Sequence, residues 1–185
     1  RGQYAEPWYQ GETIIAGIGQ GFNVVTPVQL ANAVATLANG GKRFKPRLLY
    51  ASKHAGNEQA DKELAPVALQ VPRIDPANWE LIQSGMWRVV HGARGTARSI
   101  RPESGYEIAG KSGTAQVAAQ AADEDMDETT ATHLRHHALF VAYAPYDEPS
   151  IVVAVVVEHG GGGSREAAPV ARAVIDAWLD QELGQ

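Results

Sequence analysis

Apolar residues recur along this chain at two different spacings, which separate predicted helices from predicted strands. Apolar positions three or four residues apart predict helices from about Pro27 to Asn39, from Pro76 up to Gly92, and from Pro169 to Leu183. Dense apolar runs predict strands at Ala138 to Ala144 and Ile151 to Glu158, joined by a hairpin turn. The second run does not alternate with polar residues, so we expect both of its faces to be covered.

Each predicted helix carries one apolar stripe that we expect to be buried. Helices with a single buried face, next to two adjoining strands, predict an antiparallel sheet covered by helices on both faces. The fold class is therefore α/β of the α+β type. The stripe residues are Leu30, Ala31, Val34, Leu37 and Ala38 in the first helix, Trp79, Ile82, Met86, Val89 and Val90 in the second, and Val170, Val174, Ile175, Trp178 and Leu179 in the third.

Two further segments carry weaker signals. We predict that Lys42 to Tyr50 forms a short edge strand, because a proline within it would not suit a central strand. The glycines at Gly17, Gly19 and Gly21 are expected to permit close backbone packing. A dinucleotide-binding loop would need a glycine at the position of Phe22, so that interpretation is disfavoured.

Composition and charge narrow the possible functions. The chain has 16 Lys plus Arg against 21 Asp plus Glu, a formal charge of −5, which argues against nucleic acid as a partner. It has no cysteine, so it can form neither a disulfide framework nor a thiolate metal site. Ala118 to His133 is acidic, but it lacks the glycine and glutamate spacing of a calcium loop and is predicted to be a solvated loop. His133, His136 and His137 are weak evidence for zinc, and we assign no metal site.

The clearest candidate chemistry lies in the stretch Ile108 to Val117. Apolar flanks predict a strand, and two glycines within it leave room for another backbone or a ligand. Lys111, Ser112 and Thr114 supply one ammonium group and two hydroxyl groups. Ser112 and Thr114 are two residues apart, so they point to the same face of a strand, and such a set of donors can bind a carboxylate.

Lys111-Ser112-Gly113-Thr114 resembles the third motif of the penicillin-binding proteins and serine β-lactamases. Its flanks, Ala109-Gly110 before and Ala115-Gln116 after, are similar to the class B penicillin-binding transpeptidases. The upstream stretches Gly17-Ile18-Gly19-Gln20-Gly21 and Thr26-Pro27-Val28-Gln29 resemble the same family. The resemblance covers essentially the whole chain.

The sequence departs from the family in one respect. No serine is followed three positions later by a lysine, and none is followed two positions later by an asparagine, although the family carries both motifs upstream of this strand. We therefore expect residues 1–185 to be the carboxy-terminal part of a transpeptidase domain, with the fold completed by an upstream half that carries the nucleophile.

The resemblance implies a peptidoglycan D,D-transpeptidase of cell-wall elongation, which transfers an acyl group from D-Ala-D-Ala stem peptides through a serine and is a target of β-lactams. It implies catalytic roles for Lys111 and Thr114 and substrate binding by Ser112, Gly113, Thr114 and Ala115. Lys111 would supply positive field, and the Thr114 N–H would donate to the oxyanion. No cofactor is implied.

The resemblance also implies partners and a location. The partners are stem peptides, β-lactams and the upstream half of the domain, together with a membrane glycosyltransferase and rod-complex proteins bound through the full-length protein. The location is the periplasmic face of the bacterial inner membrane, with the anchor upstream of this chain. Two alternatives remain open, namely a β-lactam-binding sensor domain and a serine β-lactamase.

Overall fold

A computed structural model describes residues 7–21, 23–49, 51–52, 62–63, 65–103, 105–116 and 135–183. None of the helices in these ranges is both long and apolar enough to span a bilayer. In chain order the elements are α1 (Gln10–Gly17), α2 (Pro27–Ala38), β1 (Arg43–Phe44), β2 (Ala51–Ser52), β3 (Lys62–Glu63), β4 (Ala68–Leu69), α3 (Pro76–His91), a 3-10 turn (Arg98–Ile100), β5 (Ala109–Ala115), β6 (His137–Ala144), β7 (Ile151–Val157), a π-helical turn (Gly163–Ala167) and α4 (Ala168–Leu183).

The centre of the fold is a three-stranded antiparallel sheet in the order β5-β6-β7. Ser112 of β5 lies opposite Phe140 of β6, which in turn lies opposite Val155 of β7. Since β6 pairs with both neighbours, β5 forms one edge of the sheet among the described residues. The strand with the candidate chemistry is therefore an edge strand.

Helices cover both faces of this sheet. On one face the fully buried Phe140 belongs to the same apolar cluster as Ile175 of α4. On the other face Tyr143, only 1% exposed, clusters with Val34 of α2 and Met86 of α3. Alternate residues of β6 thus enter opposite layers, and both layers need apolar side chains. The predicted antiparallel sheet with helices on both faces is confirmed.

The buried stripe of α4 differs from the predicted one. Ile175 and Leu179 are buried as expected, but Val174 and Trp178 are 45% and 42% exposed. Small residues take their place against the sheet, among them the fully buried Ala171. Alanines allow the helix axis to approach the strands closely, so the larger side chains turn outward. The prediction that Val170, Val174 and Trp178 are buried was wrong.

The two helices on the opposite face begin where the sequence indicates. At α2 the Thr26 hydroxyl accepts the Gln29 backbone N–H at 3.2 Å, and the Gln29 side chain accepts the Thr26 N–H at 2.8 Å. At α3 the Asp75 carboxylate accepts the Ala77 N–H at 2.9 Å. Met86 is buried in α3, but Ile82, which we predicted to be buried, is 48% exposed.

In the first half of the chain one prediction was wrong and one helix was not predicted. Tyr50 lies outside the described residues, and of residues 42–49 in the expected edge strand only the two residues of β1 form a strand, which pairs with β4 in a separate ladder. The sequence also gave no warning of helix α1. That helix buries none of its own residues, and Ile14 in it is 75% exposed. A helix without a buried face lacks the periodic stripe by which helices are recognised.

Candidate functional site

Strand β5 presents the candidate residues along the free edge of the sheet. Ser112 lies opposite Phe140 and Thr114 lies opposite Ala138, so the two hydroxyl side chains share one face, as predicted. Lys111 lies opposite Val141, on the other face together with Gly113 and Ala115. Lys111 and Thr114 are exposed, whereas Ser112, Gly113 and Ala115 are partly buried. The four-residue motif thus places two hydroxyl groups on one face of the strand and an ammonium group on the other.

The exposed Lys111 side chain folds back along the edge of its own strand. Its Nζ donates to the backbone carbonyl of Ser112 at 2.6 Å. A cation held at the strand edge contributes positive field to any anion bound beside the neighbouring hydroxyls. The structure therefore brings the ammonium group and the Ser112 backbone together at one place.

Close steric contacts explain why glycines are needed in and around β5. A Cβ at Gly110 would lie 2.8 Å from the ring of Phe140, the large side chain buried under this strand. Over Gly113 passes the turn that opens at Gly163, where a Cβ would lie 2.6 Å from the Gly113 carbonyl oxygen and 2.2 Å from that of Leu139. The glycine turn after β7 therefore lies directly on the backbone of the motif, and β5 is confined from that side.

Helix α3 holds the start of β5. The His91 Nε2 accepts the backbone N–H of Ile108 at 3.2 Å. One helical turn earlier, the Trp87 indole stacks on the His91 ring at 5.0 Å between centroids and donates to the Glu107 carboxylate at 2.9 Å. Burial lowers the pKa of His91, an effect that Glu107 opposes and Arg101 reinforces. A neutral His91 can accept from Ile108, whereas a protonated one cannot.

The segment before β5 is also tied to α4. The Tyr106 hydroxyl donates to the Asp176 carboxylate, which accepts Arg172 Nε at 2.8 Å. Arg172 also donates to the Ile100 carbonyl at 2.9 Å. Burial, assisted by the bond to Asp176, raises the pKa of Tyr106 to about 12. These contacts and the His91 bond fix β5 at its amino-terminal end from two different helices.

The opposite end of the sheet is closed by two histidines. His137 Nδ1 accepts the backbone N–H of His159 at 3.0 Å, and the two rings meet edge to face at 4.9 Å. In the part of the chain that the structure describes, no three His, Cys, Asp or Glu side chains are grouped closely enough to hold a metal ion. His133 and the rest of the acidic segment 118–133 lie outside the described residues.

One residue of the site was missed by sequence reasoning. The Gln20 side-chain amide donates to the Thr114 carbonyl at 2.8 Å, across 94 positions of sequence. The glycines on either side of Gln20 were noted, but they were interpreted as packing residues. A Cβ at Gly21 would lie 2.9 Å from the Ile15 side chain, so close packing is confirmed there, and Gly19 and Gly21 also adopt φ of 80° and 72°, values in the left-handed region that shape a turn. A glutamine between two such glycines was the available signal.

Two cavities lie elsewhere in the molecule. A cavity of about 400 Å³ is lined by His91, Tyr106 and Tyr146 among others, and one of about 560 Å³ lies between α2 and Trp79. Neither is lined by a residue of β5. Both cavities are therefore separate from the candidate strand edge.

Comparison with known families and proteins gives one consistent result. The family described as "Penicillin binding protein transpeptidase domain" matches residues 1–176. A relative from Haemophilus influenzae, named peptidoglycan D,D-transpeptidase MrdA, is 44% identical over 184 residues. That match covers 99% of this chain but only 28% of the relative, so the chain spans little more than a quarter of its length.

Solved structures show the same likeness in three dimensions. Pseudomonas aeruginosa PBP2 in complex with WCK 5153 is 45% identical with a TM-score of 0.70, covering 94% of this chain and 35% of that one. A complex of the Helicobacter pylori penicillin-binding protein PBP2 with MreC gives 27% identity and a TM-score of 0.68, covering 94% and 28%. Sequence and structure thus lead to one family.

Proposed function

Because the chain belongs to the penicillin-binding protein transpeptidase family, we propose that it is part of a peptidoglycan D,D-transpeptidase that serves cell-wall elongation. Residues 1–185 would be the carboxy-terminal part of its transpeptidase domain. The observation that carries the proposal is the Lys-Ser-Gly-Thr motif on the free edge of β5, in a chain 44% identical to a named D,D-transpeptidase. The motif alone would also suit a serine β-lactamase, so the 44% identity to a named D,D-transpeptidase is what favours this proposal over the β-lactamase and sensor-domain alternatives.

In the proposed reaction a serine outside this chain attacks the carbonyl of the D-Ala-D-Ala bond of a stem peptide. The serine Oγ–carbon bond forms, the peptide C–N bond breaks, and the terminal D-Ala leaves with the proton that the serine gave up. An amine of a neighbouring stem peptide then attacks the acyl group and frees the serine. One peptide bond replaces another, so no cofactor or oxidant is needed.

The residues of β5 have distinct proposed roles in this scheme. Ser112 and Thr114 donate to the terminal carboxylate of the donor peptide, and Lys111 adds the positive field that favours the anion. The Thr114 backbone N–H donates to the oxyanion that develops on the attacked carbonyl. Gly113 and Ala115 form the surface against which the peptide lies. A β-lactam carries a similar carboxylate and would bind in the same place.

The proposed substrate also determines a location and partners for the complete protein. Peptidoglycan lies outside the cytoplasmic membrane, so the domain would work at the periplasmic face, anchored by a segment outside this chain. The Helicobacter pylori complex of PBP2 with MreC supports a rod-complex partner. We propose a membrane glycosyltransferase as a further partner, since cross-linking needs newly made glycan strands.

Intact-mass spectrometry with a penicillin tests this function. The complete protein should gain one acyl adduct that persists, because a transpeptidase transfers the acyl group to an amine and hydrolyses it slowly. A β-lactamase would instead release product with rapid turnover. The 185-residue chain should gain no adduct, because none of its serines lies in a Ser-x-x-Lys motif. A stoichiometric adduct on this chain alone would contradict the assignment of the nucleophile.

A further inference from the structure

Gln20 contacts the Lys-Ser-Gly-Thr strand from a distant part of the chain. Its Nε2 donates to the Thr114 carbonyl at 2.8 Å, and its side chain is partly buried. The residue lies in the turn that follows α1, outside the Lys-Ser-Gly-Thr motif. The bond ends on the same residue whose N–H is proposed to stabilise the oxyanion.

The direction of the Thr114 carbonyl follows from the sheet. In an antiparallel pair, the N–H and the carbonyl of one residue point to the same side of the strand. The Thr114 carbonyl accepts from outside the sheet, and the Ser112 carbonyl, two residues earlier, accepts from Lys111 at 2.6 Å. Both carbonyls therefore face the free edge of β5. The Thr114 N–H faces that edge too, where a bound acyl group would lie.

The turn that carries Gln20 is built to hold its side chain in place. Gly19 and Gly21 have φ of 80° and 72°, which residues with a Cβ adopt only with strain. The Asn23 side-chain amide donates to the Ala16 carbonyl at 3.0 Å and to the Gln20 carbonyl at 3.3 Å. These bonds close the turn on the end of α1, so the Gln20 amide reaches β5 from a defined position.

We propose that Gln20 is a positioning residue of the transpeptidase site, which holds the Thr114 carbonyl and thereby orients the Thr114 N–H towards the oxyanion. The carbonyl and the N–H belong to the two peptide planes that meet at the Thr114 Cα. Restraining one plane limits the rotation of the other, and a preorganised donor stabilises developing charge without reorganising first. The inference rests on the proposed function and extends it to a residue outside the motif.

The test uses the complete protein and measures acylation by a penicillin, with the binding constant Ks separated from the acylation rate constant k2. Gln20→Ala should lower k2 about five- to tenfold, the effect of losing one neutral hydrogen bond. Ks should remain unchanged, because the Ser112 and Thr114 hydroxyls and Lys111 are intact. A role limited to folding would instead reduce the active fraction and the Tm and leave k2 of the active molecules unaltered.

Gln20→Glu adds a pH signature. An ionised carboxylate cannot donate to the Thr114 carbonyl, whereas a protonated carboxyl group can. The ratio of its k2 to that of the parent should therefore rise as the pH falls from 8 towards the ordinary carboxyl pKa of about 4.3. The same ratio for Gln20→Ala should stay flat, since alanine has no proton to regain. Taking ratios removes the pH dependence of the other groups in the reaction.

Gln29→Ala is the matched control in the same segment. It removes the Gln29 half of the α2 cap, so it should lower the Tm and leave k2 at the parent value. The inference is overturned if Gln20→Ala acylates at the parent rate, if both Gln20 variants give flat ratios, or if Gln29→Ala slows k2 equally. A parent protein that is not acylated at all would overturn the proposed function instead.

Discussion

Helices α1 and α4 make an instructive pair, because both carry large apolar side chains and only one of them is packed. In α4, Ile175 is fully buried against the sheet. In α1 no residue is buried, and Ile14 is 75% exposed. The difference lies in what is available to cover each helix. The sheet that covers α4 is formed within this chain, whereas the described residues contain no surface that covers Ile14.

This contrast divides the candidate site into a packed floor and an open rim. The floor is β5, held by α3 at His91 and by α4 through Asp176. The rim is the turn after α1, whose Gln20 reaches the Thr114 carbonyl. β5 is packed against two helices, which suits precise geometry, whereas the rim is held by its own Asn23 bonds and adjoins α1, whose uncovered side chains are suited to contact with other parts of a larger protein. Substitutions in the two regions should therefore have different consequences.

The largest effect is expected from removing both hydroxyl groups of the floor strand. In the proposed site, Ser112→Ala combined with Thr114→Val would lose two hydrogen bonds to the substrate carboxylate, each worth roughly 1.5 to 3 kcal/mol, while it keeps the apolar contacts of the strand. Acylation of the complete protein by a β-lactam should slow by about a hundredfold or more, with little change in Tm. Stopped-flow acylation and a thermal melt measure the two quantities.

A substrate without the carboxylate separates binding from chemistry. The double variant should react with a neutral thioester at close to the parent rate, because the missing hydroxyls have no anion to bind there. Lys111→Ala should slow β-lactam acylation at least as much as the double variant does. Equal losses with both substrates would instead mean that the hydroxyls act on acyl transfer itself.

The next effect compares the two helices directly. Ile175→Ala should destabilise the 185-residue chain by about 2 to 5 kcal/mol, because it leaves a cavity against the sheet. Ile14→Ala should change the unfolding free energy by less than about 0.5 kcal/mol, because its side chain is already in solvent. Urea unfolding measures both. A large loss of unfolding free energy from Ile14→Ala in the 185-residue chain would mean that α1 is covered in solution. If the loss is larger in the complete protein, the difference measures how much the rest of that protein covers Ile14.

The smallest effect concerns His91 and pH. Since its pKa is lowered in the folded chain, stability that depends on neutral His91 is present above its ordinary value of 6.5 and is lost as the pH falls below it. The decline should be smaller than the effect of Ile175→Ala, and His91→Gln should flatten it. The amide signal of Ile108, which donates to His91, should titrate in step. An Ile108 amide signal that does not change with pH would contradict the hydrogen bond from Ile108 to His91.

How much could be predicted from the sequence depended on whether a feature was local. Thr26-Pro27 and Asp75-Pro76 mark helix starts through contacts within a few residues, and both were predicted correctly. The buried face of α4 was harder to predict. Its apolar pattern favoured a face that includes Val174, whereas the face packed against the sheet includes Ala171. Alanine contributes little to a hydrophobic pattern, but it is the residue that packs best where a helix and a sheet lie close together.

The site shows the same limit. Ser112 and Thr114 could be placed on one face by counting along a single strand, and their register confirms it. Gln20 could not be found in this way, because its partner lies 94 positions away and a glutamine amide gives no periodic signal. The family motif identified the floor of the site. The contact of Gln20, in the rim, with that floor strand became visible only in the three-dimensional structure.

The four glycines from 160 to 163 have a practical consequence for protein engineering. Such a run looks like a flexible joint, and it would be an obvious place to insert a tag or divide the chain for a split reporter. Yet Gly163 lies against the carbonyl oxygens of Gly113 and Leu139, and Gly160 lies against Val157. An insertion there would lift the turn from the motif strand. The hairpin at Asp147 and Glu148 is exposed at the other end of the strands and is the safer point of attachment.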